Sequence, residues 1–154
     1  MKFKIEQLAL NPKDPALAFM LMQELGLTEW IHDGASAEGI VFGEPAKSVG
    51  NLSFNYDAKP LELEILHYSS GRNWLEAYNS VPPASVASHI GTHCSAEELE
   101  RWRAKLALHG IRVAQEVVTT AHTNPNVPPG RRYKYVIFDT RDIIGLDLKF
   151  IVRL

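Results

Sequence analysis

Hydrophobic and polar residues alternate in short stretches along the chain. Each stretch predicts a β-strand, because successive side chains of a strand point to opposite faces of a sheet. Two segments instead repeat apolar residues every three or four positions, which predicts helices at 15–25 and 96–109. The predicted strands cover residues 2–9, 28–32, 38–42, 50–56 and 61–68 in the first half, and 89–94, 111–120, 132–138 and 145–152 in the second.

Capping and turn residues mark where these elements begin and end. Asp14 followed by proline is typical of a helix start, because the aspartate accepts a backbone N–H and proline suits the first helical position. Ser95 and Glu98 have the spacing of a capping box, which predicts the start of the second helix. The Asp33-Gly34 pair predicts a turn between two short strands.

The same order of elements occurs twice in the chain. Each half has a strand, a helix and then further strands, which predicts one α+β domain made of two βαβββ modules, at about 1–78 and 86–154. The Pro82-Pro83 pair lies between the modules and is typical of a joint. Each module is expected to form a curved, four-stranded sheet.

Four polar side chains interrupt the apolar strands at matching places in the two halves. Gln7 and His89 are 82 residues apart in the sequence, and Glu64 and Asp147 are 83 residues apart. An unpartnered polar group in the interior of a strand is costly, so these residues need hydrogen-bond partners or a ligand. A twofold relation between the modules would bring all four side chains to one point.

The strand at the start of the second module carries two histidines on one face. His89 and His93 lie on the same side of Gly91, which leaves room for a ligand between them. A purely structural interpretation is also open. In that interpretation the histidines are only hydrogen bonded, and Asp147 forms an ion pair with Lys149.

Composition narrows the classes of function and partner. A formal net charge of −2 gives no general attraction to nucleic acid or to an acidic membrane. Cys94 is the single cysteine, so neither a disulfide framework nor a thiolate metal cluster is expected. The sequence has no apolar run of about 18 residues and no signal-peptide pattern at its start, so a cytoplasmic protein is expected.

Four short motifs carry a resemblance to a known family. They are IEQLAL at 5–10, LEIL at 63–66, HIGT at 89–92, and FDTRD at 138–142 leading to GLDL at 145–148. Together with the repeated modules, they resemble the vicinal oxygen chelate superfamily, which includes glyoxalase I, ring-cleaving dioxygenases and bleomycin-binding proteins. The resemblance covers nearly the whole chain. It implies paired modules that form a curved, mixed-sheet half-barrel.

The resemblance also implies a metal site. It makes Gln7, Glu64, His89 and Asp147 the ligands of a divalent ion, and glutamine at the first of these positions is similar to one branch of glyoxalase I. One nitrogen and three oxygen donors suit zinc above all, with nickel, cobalt or manganese as further candidates. In this pattern Asp147 is the catalytic base, and Glu64 is a second catalytic carboxylate.

Three functions follow from the resemblance. The first is a metal-dependent, glyoxalase-like lyase or isomerase that acts on a small oxygen-bearing substrate through an enediolate. The second is a metal-free protein that binds a small aromatic or drug-like molecule. The third is a ring-cleaving dioxygenase, which Gln7 disfavours because those enzymes have histidine at that position. The sequence leaves open whether the protein is an enzyme.

The sequence also suggests which residues contact a small molecule and how the chains assemble. The residues expected to contact a small molecule are Phe54, Tyr68, Trp74, His93 and Arg132. Aromatic side chains among them would line an apolar groove. A homodimer is also expected, because curved sheets of this family often pair between chains and because their apolar strands need cover on both faces.

Overall fold

A computed structural model describes residues 2–77 and 85–154, and its eight strands form a closed barrel. The strands of the first half are β1 (Gln7–Asn11), β2 (Trp30–Val41), β3 (Glu44–Asn55) and β4 (Glu62–Gly71). Those of the second half are β5 (Val86–His93), β6 (Val113–Ala121), β7 (Tyr133–Phe138) and β8 (Asp147–Arg153). The helices are α1 (Pro15–Glu24), α2 (Ala96–Ala107) and α3 (Arg141–Ile144), and a 3₁₀ turn covers Trp74–Ala77.

The strand order around the barrel is β1-β4-β3-β2-β6-β7-β8-β5. In each half the first and last strands are parallel neighbours, and the other pairs are antiparallel. The halves join through the antiparallel pairs β1–β5 and β2–β6. The predicted α+β class with curved, paired βαβββ sheets is confirmed. The predicted Pro82-Pro83 joint lies outside the described residues.

The two long helices differ in how they pack on the barrel. Helix α2 begins with the predicted capping box and buries Leu99 against the outer faces of β7 and β8. Helix α1 has no buried residue. Phe19 packs edge to face on Trp30, with ring centroids 5.0 Å apart. Four other large apolar side chains are more than half exposed, namely Leu17, Met20 and Leu21 in the helix and Leu25 just after it.

Helices in the described part of the chain are all too short or too polar to cross a membrane.

The turn predicted at Asp33-Gly34 is wrong, because both residues lie inside the continuous strand β2. The Asp33 carboxylate accepts a hydrogen bond from the backbone N–H of Thr123 at 2.7 Å, and the Gly34 N–H donates to the Thr123 hydroxyl at 2.8 Å. These bonds give polar turn-type residues partners within a strand. The chain instead reverses at Phe42 and Gly43, where φ is 45° and 83°, respectively. A hairpin turn of this kind needs positive φ at both central residues.

The homodimer stays a prediction. Because the barrel closes within one chain, the inner faces of its strands pack against each other. They do not need a second chain to cover them. The apolar side of α1 is now the reason to expect association, because monomers rarely leave such patches exposed. Light scattering at micromolar concentration measures the mass, and a monomeric mass would contradict the prediction.

We predict that Gly39→Ala destabilises the fold strongly. A Cβ atom at this position would overlap the carbonyl oxygen of Glu116 and lie 2.8 Å from Cα of Val117, at the β2–β6 junction between the halves. The expected loss is about 2–4 kcal/mol in the free energy of unfolding, measured by urea denaturation. Gly34→Ala in the same strand is the matched control, because its nearest neighbour is at 3.5 Å. Equal effects of the two substitutions would refute this explanation.

Candidate functional site

Three of the four predicted metal ligands meet inside the barrel. The side chains of Gln7, Glu64 and His89 are almost completely buried, with at most 2% of their surface exposed. Nε2 of His89 is 3.0 Å from Oε1 of Gln7 and 3.2 Å from Oε2 of Glu64. The structure therefore brings together one imidazole, one amide oxygen and one carboxylate.

Lys149 completes this cluster, and sequence reasoning assigned it no role there. Its Nζ donates hydrogen bonds to Oε1 of Gln7 at 3.0 Å and to Oε2 of Glu64 at 3.2 Å. The ammonium also lies 4.9 Å from the centroid of the Tyr135 ring, a cation–π distance. We call Gln7, Glu64, His89 and Lys149 the polar cluster.

Strand pairing explains why Lys149 and not Asp147 reaches the cluster. In the first half Ala9 pairs with Glu64, and in the second half Gly91 pairs with Lys149. Ala9 and Gly91 are equivalent positions, so Lys149 is the structural counterpart of Glu64. Asp147 is the counterpart of the residue two places before Glu64. A two-residue shift keeps a side chain on the same strand face but moves it by one pleat.

Asp147 is thus not brought together with the other predicted ligands, contrary to the sequence prediction. Its Oδ1 accepts hydrogen bonds from the backbone N–H groups of Thr140 and Arg141, both at 3.1 Å. Its Oδ2 accepts the indole N–H of Trp74 at 3.0 Å and the Arg141 guanidinium at 3.2 Å. Burial raises the pKa of Asp147, and Arg141 opposes that rise. The carboxylate fastens α3 and the 3₁₀ turn to β8.

Gly91 does leave room between the two histidines, but Gln7 occupies it. A Cβ atom at position 91 would lie 3.1 Å from Oε1 of Gln7. The Gln7 Nε2 donates a short hydrogen bond to Oε1 of Glu62, which fixes the orientation of the amide. His93 contacts Glu6 instead: its Nδ1 lies 3.2 Å from Oε2 of Glu6, and its backbone N–H donates to the same oxygen at 2.6 Å.

The polar cluster has one positive and one negative charge. Burial alone would raise the pKa of Glu64, but the Lys149 charge and the hydrogen bond from His89 outweigh burial and lower it to about 2. Burial, with the Lys149 charge added, lowers the pKa of His89 to about 4, so its ring is neutral at neutral pH. Nε2 faces two acceptors and therefore carries the proton, while Nδ1 accepts from the Ser88 hydroxyl at 2.9 Å.

Lys149 lines two cavities, which we call the outer and the inner cavity. The outer cavity has a volume of about 210 Å³ and the inner one about 50 Å³, and Ala35, Leu52 and Tyr135 line both. Of the predicted substrate contacts, Phe54 and His93 line the outer cavity, and Tyr68 and Trp74 line the inner one. Arg132 lines neither cavity, because its Nε donates to the backbone carbonyl of Thr119 at 3.2 Å.

Glu64, which lines the inner cavity, has one buried carboxylate oxygen without a hydrogen-bond partner in the described part of the chain. Its Oε2 is shared between His89 and Lys149, whereas its Oε1 is buried and has no hydrogen-bond partner among residues 2–77 and 85–154. A buried carboxylate oxygen without a donor is costly. An N–H or O–H group that reached this oxygen would remove that cost.

Solved structures resemble the whole chain at low sequence identity. A hypothetical protein from Bacillus halodurans has 13% identity and a TM-score of 0.52, with 98% of this chain and 94% of that chain covered. Methylmalonyl-CoA epimerase from Streptomyces coelicolor, in complex with 2-nitronate-propionyl-CoA, has 12% identity and a TM-score of 0.53, with 99% and 95% covered. The same enzyme from Mycobacterium tuberculosis has 11% identity and a TM-score of 0.50, with 100% and 93% covered.

Both epimerases belong to the vicinal oxygen chelate superfamily. The chain has the vicinal oxygen chelate fold. No protein-family model and no curated protein matches the sequence. Identities of 11–13% show a likeness of fold and nothing finer about chemistry.

In this vicinal oxygen chelate barrel the donor set does not fit the expected divalent ion. Within the described residues no group of three or more histidine, cysteine, aspartate or glutamate side chains is placed to hold a metal. The Lys149 ammonium occupies the space beside Gln7 and Glu64, and a divalent ion there would meet a positive charge. His89 Nε2 holds its proton in hydrogen bonds to Gln7 and Glu64, and coordination would require the other ring tautomer. The arrangement therefore does not support zinc, nickel, cobalt or manganese.

We predict that Lys149→Met lowers the free energy of unfolding by about 3–5 kcal/mol, because it leaves the Glu64 charge buried without its partner. Adding Glu64→Gln should restore most of the loss, and a urea denaturation series on the two single variants and the double variant measures the coupling. Lys47→Met is the matched control, since Lys47 pairs with Glu38 at 3.2 Å on the surface. A double variant no more stable than Lys149→Met would contradict the ion-pair assignment.

Proposed function

We propose that this protein binds a small, uncharged, aromatic molecule inside the vicinal oxygen chelate barrel, by hydrogen bonds instead of metal coordination. The observation that supports the proposal is the unpartnered Oε1 of Glu64, a residue that lines the inner cavity together with Lys149. A ligand with an N–H or O–H group would donate to this oxygen.

The walls of the inner cavity favour a flat, apolar ligand. Tyr68 and Trp74 meet edge to face, with ring centroids 5.9 Å apart, and Tyr135 lines the cavity with them. Small side chains such as Ala35 and Ala37 leave space beside these rings. Aromatic walls with a few fixed polar groups are typical of sites for small organic molecules.

Charge and size narrow the ligand further. At the inner cavity Glu64 and Lys149 neutralise each other, so a charged group placed there would be unbalanced in a buried site. Cavities of about 210 and 50 Å³ are smaller than the roughly 300–1,000 Å³ of sites for drug-sized molecules. A cavity of about 150 Å³ holds benzene. The inner cavity alone is therefore too small for a ring, and a ligand the size of one substituted aromatic ring would occupy both cavities.

Binding is favoured over proton abstraction because of the basicity of Glu64. A pKa of about 2 makes this carboxylate a weak proton acceptor, whereas an effective general base has a pKa near the working pH. The ion pair with Lys149 causes this low basicity. The geometry thus suits a hydrogen-bond acceptor better than a catalytic base.

A metal-dependent lyase or isomerase of the glyoxalase type is the second candidate. It is favoured by the meeting of Gln7, Glu64 and His89 at one point of a fold shared with methylmalonyl-CoA epimerases. It requires Lys149 to leave the polar cluster. The ring-cleaving dioxygenase stays disfavoured, because Gln7 departs from the histidine of those enzymes.

We predict that Ala35→Leu abolishes ligand binding without unfolding the protein, because the added atoms fill the space where the two cavities adjoin. Chelator-treated protein would be screened by NMR against phenols, anilides and indoles, and the affinity of each hit measured by calorimetry. Ala16→Leu on the exposed side of α1 is the matched control. Binding that survives in Ala35→Leu, or hits confined to metal-loaded protein, would contradict the proposal.

We predict that Glu64→Gln weakens a ligand that donates to Oε1 by about 10- to 100-fold, because hydrogen bonds to charged groups contribute about 1.5–3 kcal/mol. The comparison uses hits paired with analogues that lack the N–H or O–H group. The analogues should bind the wild type and the Glu64→Gln variant equally. A similar loss for both members of a pair would show that the substitution acts through the fold instead.

A further inference from the structure

We propose that Lys149 is the resident cation of this barrel, and that the residue at position 149 decides whether the polar cluster holds a divalent metal. This inference goes beyond the proposed function, because it concerns the cation and not the ligand. Its basis is the position of the ammonium among Gln7, Glu64 and His89.

The possible donor atoms of Gln7, Glu64 and His89 already lie close together. Oε1 of Gln7 and Oε2 of Glu64 lie 3.0 and 3.2 Å from Nε2 of His89. Ligand atoms bound to an ion at about 2.0–2.2 Å are about 3.0–3.5 Å from each other. Both oxygen donors thus already lie at the spacing of metal ligands from the histidine nitrogen, although hydrogen bonds now hold them there.

The charges of the polar cluster already cancel without a metal ion. Glu64 is the one anionic member of the polar cluster, and Lys149 neutralises it within 3.2 Å. Both side chains are buried, with 0% and 8% of their surface exposed. A divalent ion added to this arrangement would leave the cluster with an excess of positive charge in a medium of low polarity. The wild type is therefore a hydrogen-bonding site that excludes metal.

The length and charge of the side chain at position 149 determine whether an ion has space in the cluster. A glutamate at this position would end one covalent bond short of the present Nζ. Its carboxylate would replace a buried cation by a fourth oxygen donor and leave space for an ion beside Gln7 and Glu64. The resulting set of one nitrogen and three oxygen donors suits zinc or cobalt. Without metal, two buried carboxylates would repel each other, so binding and folding would be linked.

The experiment is a titration of chelator-treated, tag-free protein with Co²⁺ at neutral pH, followed by visible absorption and calorimetry. Lys149→Glu is expected to bind one Co²⁺ per chain about 100-fold or more tightly than the wild type, and its melting temperature should rise with added metal. Lys149→Glu combined with His89→Ala is the matched control, since it lacks the nitrogen donor. It should lose the visible absorption and most of the affinity.

The wild type provides the decisive outcome even if the variant folds poorly. One Co²⁺ per chain at micromolar affinity in the wild type, with absorption lost in His89→Ala, would overturn the proposal. A folded Lys149→Glu that binds no metal would also overturn it, and Lys149→His offers a second variant with a neutral donor. Because the titration uses no organic ligand, its result is independent of whether the barrel binds a small aromatic molecule.

Discussion

The ion pair between Lys149 and Glu64 is the interaction on which the rest of the barrel interior depends. Both charges are removed from water, and neither would be tolerated there without the other. Their pairing dictates the state of the neighbours. Gln7 presents its carbonyl oxygen to the ammonium, and His89 stays neutral with its proton on Nε2. Four polar side chains can therefore lie in an apolar barrel as one neutral, hydrogen-bonded unit with a single free acceptor.

Strand topology brings these residues together from four distant parts of the chain. In each half the first and last strands are parallel neighbours, and the two first strands also pair with each other. Glu64, Gln7, His89 and Lys149 thus lie on the adjacent strands β4, β1, β5 and β8, respectively. The two modules are alike in topology but not in surface. Helix α2 buries Leu99 on its sheet, whereas α1 has no fully buried residue and leaves several of its leucine and methionine side chains exposed.

The fold and three of the site residues could be predicted from the sequence. Alternation of apolar and polar residues marks the strands, and the repeated order of elements relates the two halves. The fourth could not. Asp147 and Lys149 share one face of β8, so alternation accepts both, and only the pairing of β8 with β5 decides between them. Residue spacing misled the prediction, since the two modules differ in length before their last strands. The free oxygen of Glu64 is likewise invisible in a sequence, because it depends on which donors come within reach.

Closure of the barrel within one chain has a consequence for how the molecule comes apart. The outer strands of the first sheet, β1 and β2, pair with β5 and β6 of the second, so each of the eight described strands has a neighbour on both sides. Separating the modules would break both strand pairs between them, β1–β5 and β2–β6. It would expose the backbone hydrogen-bonding groups of four strand edges at once. The halves of the repeat therefore resist strand exchange with other chains, and they gain and lose their structure as one cooperative unit.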